Sequence, residues 1–100
     1  METIFRTVMM KPQDSVAVAL QNIPAGSKLA VTCQDQVIQV ELVDSIEFGH
    51  KFAVRPIHQG ADILKYGEVI GVASADIKPG QHVHVHNLEG KRGRGDRVAN

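Results

Sequence analysis

The sequence contains no tryptophan, one cysteine and few aromatic residues, and each shortage restricts what the chain can be. Only Phe5, Phe48, Phe52 and Tyr66 are aromatic, so a core must be built mainly from Val, Ile, Leu and Ala, which suits β-strands. A lone cysteine excludes an internal disulfide and fits a reducing compartment. We interpret this residue, Cys33, as a small buried apolar side chain rather than a nucleophile.

The chain also lacks net charge and long apolar runs. Eleven Lys and Arg balance eleven Asp and Glu, so no long-range field attracts nucleic acid or an anionic membrane. No apolar run approaches membrane length, and the sequence does not open on a basic segment followed by an apolar one. We therefore expect a single-domain cytoplasmic protein with no nucleic-acid partner and no membrane partner.

A short unit occurs three times in the sequence. Each copy has an Ile, two linking residues, a Gly, two further residues and then an apolar residue, and the copies cover residues 23–29, 57–63 and 77–83. The Gly can take the positive φ that the third position of a type II turn requires. We predict three tight turns, each leading into a strand. The unequal spacing of the three glycines excludes a solenoid array.

Stretches rich in β-branched and aliphatic residues predict strands between these turns. The predicted strands cover residues 29–33, 37–43, 52–57, 69–73 and 81–87. Residues 14–20 are ambiguous, because Asp14 can cap a helix whereas the alternation of Val16 and Val18 suits a strand. We favour a short helical turn for this segment.

The densest chemical signal lies in residues 81–87, where three histidines alternate with two valines and Asn87 follows. In a strand the valines would point to the core, and the histidines would line the opposite face about 6.7 Å apart. Two imidazoles at that spacing can converge on one divalent iron, zinc, manganese or nickel ion, with a third ligand supplied from elsewhere. The alternative is that these histidines are only the polar outer face of an amphipathic strand.

The last twelve residues, 89–100, have no apolar periodicity and are rich in Gly and Arg. We predict a domain over residues 1–88 followed by a flexible C-terminal tail. Arg92 and Arg94 in this tail could grip a carboxylate bidentately or dock onto another subunit. A solvated tail is the alternative, and binding of RNA by such a tail would need more repeats and aromatic residues.

Several segments together resemble the SAF domain of the altronate/galactarate dehydratase family. The most specific are Gly49-His50-Lys51-Phe52-Ala53, Lys65-Tyr66-Gly67 and His84-Val85-His86-Asn87, which occur in that order. The resemblance extends from Lys11 to Asp96. It implies an all-β fold of the β-clip type, with short bent strands and one or two short helical turns.

The resemblance also implies a function. In that family the SAF module is the N-terminal domain of a long dehydratase or a small subunit beside a large one, and it works with a divalent metal, usually Fe²⁺ with Mn²⁺ as the alternative. We therefore expect a chain that completes the active site of a large subunit or domain acting on altronate or galactarate, and that is inactive alone. The catalytic base is expected on the large partner.

On the same resemblance, His84 and His86 are expected to bind the metal, whereas His82 has a secondary role in contact with solvent. Asn87, together with the two tail arginines, is expected to bind the sugar-acid substrate. Two other functions remain open at this point: a small subunit of sulfolactate sulfo-lyase, and a non-catalytic module that binds a ligand or acts as a scaffold.

Overall fold

The computed structural model describes residues 5–90, and this part of the chain consists of β-strands connected by turns. The strands are β1 (Thr7–Val8), β2 (Val16–Ala19), β3 (Lys28–Cys33), β4 (Gln36–Glu41), β5 (Lys51–Ala53), β6 (Asp62–Lys65), β7 (Glu68–Ala73), β8 (His82–Val83) and β9 (Leu88–Glu89). The described residues contain no helix, so the predicted all-β class is confirmed.

All pairings between these strands are antiparallel. Four strands form one sheet in the order β1-β2-β5-β8, β3 and β4 form a hairpin, and a third sheet has the order β6-β7-β9. β9 pairs with β7 through Leu88 and Glu89, so the structure begins the predicted tail with a short strand. Residues 91–100 of that tail lie outside the described residues.

The short helical turn predicted for residues 14–20 is wrong, because this segment contains β2. All four residues of β2 are buried, since alternate side chains enter two different cores. Ala17 and Ala19 belong to one core cluster and Val16 to the other. Burial on both faces explains why the strand lacks the contrast between a polar and an apolar face that would have identified it.

The turn unit occurs four times rather than three. The copy missed in the sequence begins at Ile46 and has its glycine at Gly49, between the first and second predicted copies. All four glycines, Gly26, Gly49, Gly60 and Gly80, have φ between 86° and 88°. In each unit the residue after the glycine donates its N–H to the carbonyl three residues earlier, which closes a β-turn.

The four units associate in two pairs with the same hydrogen-bond pattern. Ile23 exchanges two backbone hydrogen bonds with Ile46, and Ile57 exchanges two with Ile77. The glycine of each unit also donates its N–H to a backbone carbonyl just before the partner unit, at 2.8 Å in every case. The acceptors for Gly26, Gly49, Gly60 and Gly80 are Leu42, Ala19, Ala73 and Ala53. Each pair is therefore a local two-fold arrangement, and each encloses one hairpin, β3–β4 or β6–β7.

Two apolar cores correspond to these two halves. The first cluster consists of Met9, Ala17, Ala19, Ile23, Leu29, Val31, Cys33, Val40, Leu42, Ile46, Phe52 and Val54. The second consists of Val16, Ala53, Ile57, Ile63, Ala73, Ile77 and Val83. Strands β2 and β5 contribute to both clusters, so the central sheet joins the two halves. Within residues 5–90, no helix is long and apolar enough to cross a membrane.

Candidate metal centre

The second and fourth turn units end on two strands that pair with each other. The second unit leads into β5 and the fourth into β8, and the β5–β8 register places Phe52 opposite His82. Directly opposed residues have side chains on the same face of a sheet, as do residues two positions apart in one strand. His50 precedes Phe52 by two residues and His84 follows His82 by two, so the strand period predicts that the three histidines share one face.

The strand predicted over residues 81–87 is wrong beyond Val83, where β8 ends. Residues 84–87 form a turn, in which the N–H groups of Asn87 and Leu88 donate to the carbonyl of His84 at 3.0 and 2.9 Å. Val83 is fully buried as predicted, but Val85, expected in the core, is 79% exposed. The chain reverses here to bring β9 against β7, and a turn of this kind cannot keep the alternation of a strand.

Asn87 holds this turn through both polar atoms of its side chain. Its Oδ1 accepts the backbone N–H of His84 at 2.9 Å, and its Nδ2 donates to the carbonyl of His82 at 2.9 Å. The residue is 5% exposed, so these bonds are shielded from water. Asn87 therefore fixes the backbone of both His82 and His84, and its expected contact with substrate stays a prediction.

Four imidazole rings lie against one another at the end of the β5–β8 pair. The ring centroid of His50 is 5.1 Å from that of His82 and 5.0 Å from that of His84, and the rings of His82 and His84 are 5.4 Å apart. His86, in the turn, has its ring 5.5 Å from that of His82. We call His50, His82 and His84 the histidine cluster.

One ligand nitrogen from each residue of the histidine cluster lies within 4.8 Å of the other two. Nδ1 of His50 and Nε2 of His82 are 2.9 Å apart. Two nitrogens bound to one ion at about 2.1 Å each would be about 3.0–3.4 Å apart. The His50–His82 pair, which also has hydrogen-bond geometry, is already near this separation, and the His84 nitrogen would have to approach both to complete a set of three ligands.

The electrostatics of the site favour the neutral, metal-binding form of His82. Burial lowers the pKa of His82 below its usual value, and the neighbouring His50, His86 and His84 lower it further when they carry charge, while Asp44 opposes them. The Asp44 carboxylate also accepts the backbone N–H of His82 at 2.9 Å. A neutral imidazole keeps a lone pair available for a metal.

The second acidic group at the site is Glu47. Its Oε1 lies 3.8 Å from Nε2 of His50, and its side chain is 80% exposed. A carboxylate beside the distal nitrogen of a histidine ligand is a common way to orient the ring. At this distance and exposure the contribution of Glu47 to the stability of the fold is small.

The structure and the sequence agree in part on the candidate site residues. His84 belongs to the histidine cluster, His86 adjoins it through His82, and Arg92 and Arg94 lie outside the described residues. His82, expected to have only a secondary role, is at the centre of the cluster. His50 was missed as a ligand, although the second turn unit, which has its glycine at Gly49, was present in the sequence and would have placed it.

Comparison with known proteins gives matches over almost all described residues. The family model for the altronate/galactarate dehydratase SAF domain matches residues 5–91. The chain is 46% identical over 74 residues to altronate dehydratase of Escherichia coli (strain K12) and 40% identical over 82 residues to altronate dehydratase of Bacillus subtilis (strain 168). It is 38% identical over 88 residues to (2R)-sulfolactate sulfo-lyase subunit alpha of Chromohalobacter salexigens.

These relatives differ in how much of their length corresponds to the chain. The matches cover 74% and 82% of this chain but only 14% and 16% of the two altronate dehydratases. The match to the sulfo-lyase subunit covers 85% of this chain and 94% of that subunit. The same domain is therefore a small part of some relatives and nearly the whole of another.

Proposed function

Because the chain belongs to the altronate/galactarate dehydratase SAF domain family, we propose that it is the SAF component of a carbon-oxygen lyase. The reaction is the removal of water from a sugar acid such as altronate or galactarate. The histidine cluster contributes to a metal site that a large catalytic subunit or domain completes. The observation that supports this proposal most directly is the convergence of three histidine nitrogens within 4.8 Å.

The metal in this proposal is divalent, Fe²⁺ or alternatively Mn²⁺, held by His50, His82 and His84. When bound, it would act as a Lewis acid that polarises oxygens of the sugar acid and balances the negative charge that develops during elimination. Imidazole nitrogens suit both ions. Three protein ligands leave positions for substrate and for ligands from the partner, as a catalytic metal site requires.

The residues of this chain have separate tasks in the proposal. The β5–β8 pairing orients His50 and His82, and Asn87 fixes the backbone on both sides of Val83. Burial and the neighbouring imidazoles lower the pKa of His82 and so keep it neutral, which lets it bind without first losing a proton. The base that removes the proton next to the substrate carboxylate is assigned to the large partner.

A large catalytic subunit or domain beside this one is supported by the lengths of the relatives. The domain corresponds to 14% and 16% of the two altronate dehydratases. The remainder of each of those proteins is not matched by this chain. We propose that the corresponding polypeptide carries most of the catalytic residues. The chain by itself is then expected to have no dehydratase activity.

A second candidate function is the small subunit of a sulfolactate sulfo-lyase. It is favoured by one observation, the 94% coverage of (2R)-sulfolactate sulfo-lyase subunit alpha. Both functions place the histidine cluster next to a hydroxy acid and differ in the group eliminated, water or sulfite. Turnover of altronate, galactarate and sulfolactate by the same purified complex separates them.

The proposed metal site is tested by single alanine substitutions in the complex of this chain with its large partner. His50→Ala, His82→Ala and His84→Ala should each lower bound iron or manganese by at least about half and reduce turnover about 100-fold or more. His58→Ala is the matched control, because His58 is exposed and has no part in the cluster. His86→Ala tests the ligand pair expected from the sequence.

The outcomes distinguish three interpretations. Loss of metal in the cluster variants but not in His86→Ala supports the triad, whereas loss in His84→Ala and His86→Ala alone supports the pair expected from the sequence. If all variants keep the metal content and turnover of the unsubstituted complex, the chain acts as a scaffold or ligand-binding module. The metal proposal would then be wrong.

A further inference from the structure

Two strongly exposed apolar side chains lie beside the histidine cluster. Phe48 is 66% exposed and precedes His50 by two residues, while Val85 is 79% exposed and directly follows His84. If a partner covered these two side chains, the removal of their apolar surface from water would contribute favourably to the free energy of binding. Exposed apolar groups that lie together beside a polar site are typical of a surface that binds a partner.

A third exposed apolar side chain, Val43, is linked to the site through the next residue in the chain. It is 55% exposed and precedes Asp44, whose carboxylate accepts the backbone N–H of His82. The backbone N–H of Val43 donates to the carbonyl of Gly80 at 2.9 Å, which ties this residue to the turn leading into β8. We call Val43, Phe48 and Val85 the apolar rim.

The backbone around each rim residue is held in place by hydrogen bonds. The N–H of Phe48 donates to Oδ1 of Asn22 at 2.8 Å, and Gly49 follows with the positive φ of its turn. Val85 lies in the turn that Asn87 closes. Because the backbone is already ordered, binding at the rim would cost little additional conformational entropy. Such preorganised aromatic and aliphatic anchors are typical of the energetic centres of interfaces.

The other large exposed apolar side chains of the described residues are elsewhere. They are Met10, Val37, Tyr66 and Val69. Val37 and Val69 lie in the two hairpins, in strands β4 and β7, and neither of these strands pairs with β5 or β8. Val37 and Val69 therefore provide controls of the same chemistry and similar exposure, 58% and 44%.

We propose that the apolar rim is the surface on which the large catalytic polypeptide of the lyase docks, and that docking covers the histidine cluster. This inference rests on the proposed function. The occupant follows from two observations: the domain corresponds to only 14% and 16% of the two altronate dehydratases, and the exposed His84 borders the rim. Docking on Phe48, Val43 and Val85 would bring groups of that polypeptide next to the histidine cluster.

The test uses a tagged full-length chain and the lyase polypeptide that copurifies with it, identified by mass spectrometry as the counterpart of the remaining part of the altronate dehydratases. The dissociation constant of the purified pair is measured by calorimetry. Phe48→Ser should weaken binding about 30-fold, as expected for an aromatic interface anchor, and Val85→Ser about tenfold. The controls Val37→Ser and Val69→Ser should stay within about threefold of the unsubstituted chain.

Two readouts keep the inference separate from the proposed function. Circular dichroism and thermal melting of each free variant verify folding, which substitutions at exposed positions should preserve. If the unsubstituted chain binds and Phe48→Ser and Val85→Ser bind equally well, the docking surface is wrong while the proposed function stands. If Val37→Ser and Val69→Ser weaken binding as much as the rim variants do, the proposed docking surface is also wrong. If the unsubstituted chain recovers no lyase polypeptide, both proposals fail.

Discussion

Replacing Asp14 with asparagine should cost the domain about 3 kcal/mol of folding free energy. The Asp14 carboxylate is fully buried and accepts four backbone N–H groups. Oδ2 accepts from Met10, Lys11 and Tyr66 at 3.2, 3.1 and 3.0 Å, and Oδ1 accepts from Gly67 at 2.8 Å. The side chain thus joins the segment before β2 to the tip of the β6–β7 hairpin.

The magnitude follows from the charge and burial of this group. A hydrogen bond to a charged partner contributes about 1.5–3 kcal/mol. The asparagine side chain would keep one acceptor oxygen but present an NH₂ group to N–H donors, leaving at least one or two of the four donors without a partner. Each buried donor left unpaired costs about 1–3 kcal/mol. Tyr66, with φ of 56°, loses the contact that holds its left-handed backbone.

The same contacts make stability depend on pH. Burial alone would raise the pKa of Asp14, but the N–H groups of Gly67, Lys11, Met10 and Tyr66 outweigh it and hold the pKa below 3.8. A carboxyl group whose folded pKa is lowered stabilises the fold above its unfolded pKa, and this contribution is lost as the pH falls through the folded pKa. The wild-type advantage over the asparagine variant should therefore be constant above about pH 5 and shrink below about pH 4.

Urea unfolding followed by circular dichroism from about pH 7 to about pH 3 measures both effects. Asp35→Asn is the control, since Asp35 is exposed in the β3–β4 turn and its substitution should change stability by less than about 0.5 kcal/mol. A cost below about 1 kcal/mol for Asp14→Asn at neutral pH would refute the reasoning. A stability gap that widens on acidification would refute it equally.

Three further predictions concern the turns and the first core. Gly80→Ala should destabilise the domain by about 3 kcal/mol in urea unfolding, because the added Cβ would clash with the backbone carbonyl oxygen of Glu41. Gly26→Ala is the control: Gly26 has nearly the same φ, but no atom lies near the added Cβ, so the cost should be about 1 kcal/mol. Asn87→Ala should cost about 2 kcal/mol and lower the metal content of the lyase complex, whereas an effect on stability alone would limit Asn87 to a structural role. Cys33, 1% exposed, should react with a thiol reagent only at the rate at which the domain opens, and fast reaction in the native protein would contradict its burial.

The sequence contained enough information to predict the fold class and several strands. Strands predicted at 29–33 and 69–73 agree within one residue with β3 and β7, because their β-branched residues lie next to recognisable turns. The strand predicted at 52–57 is too long, since Ile57 belongs to a turn unit. β1, β2 and β9 escaped prediction because two-residue strands, or strands buried on both faces, leave no period that a sequence pattern can detect. β6 was predicted only as a strand without bounds after the turn at residues 57–63.

The candidate site was predicted less completely than the fold. The alternation of residues 81–87 placed His82 and His84 on one face, in agreement with the 5.4 Å between their rings, although β8 itself ends at Val83. It failed at Val85 and His86, where the turn that leads to β9 begins. His50 comes from a distant part of the chain, just before β5. It could not be found from residues 81–87, because a local sequence pattern does not indicate which earlier strand pairs with β8.

The position of the cluster follows from the two-fold pairing of the turn units. The first and third units lead into β3 and β6, which pair with strands next to them in the chain. The second and fourth units lead into β5 and β8, which pair with each other, so the residues that follow Gly49 and Gly80 meet on one surface. His50 directly follows Gly49 and His82 follows Gly80 by two residues, whereas the other two units have no histidine at either position. The histidine cluster therefore lies where β5 pairs with β8, the edge strand of the central sheet, and neither hairpin takes part in that pairing.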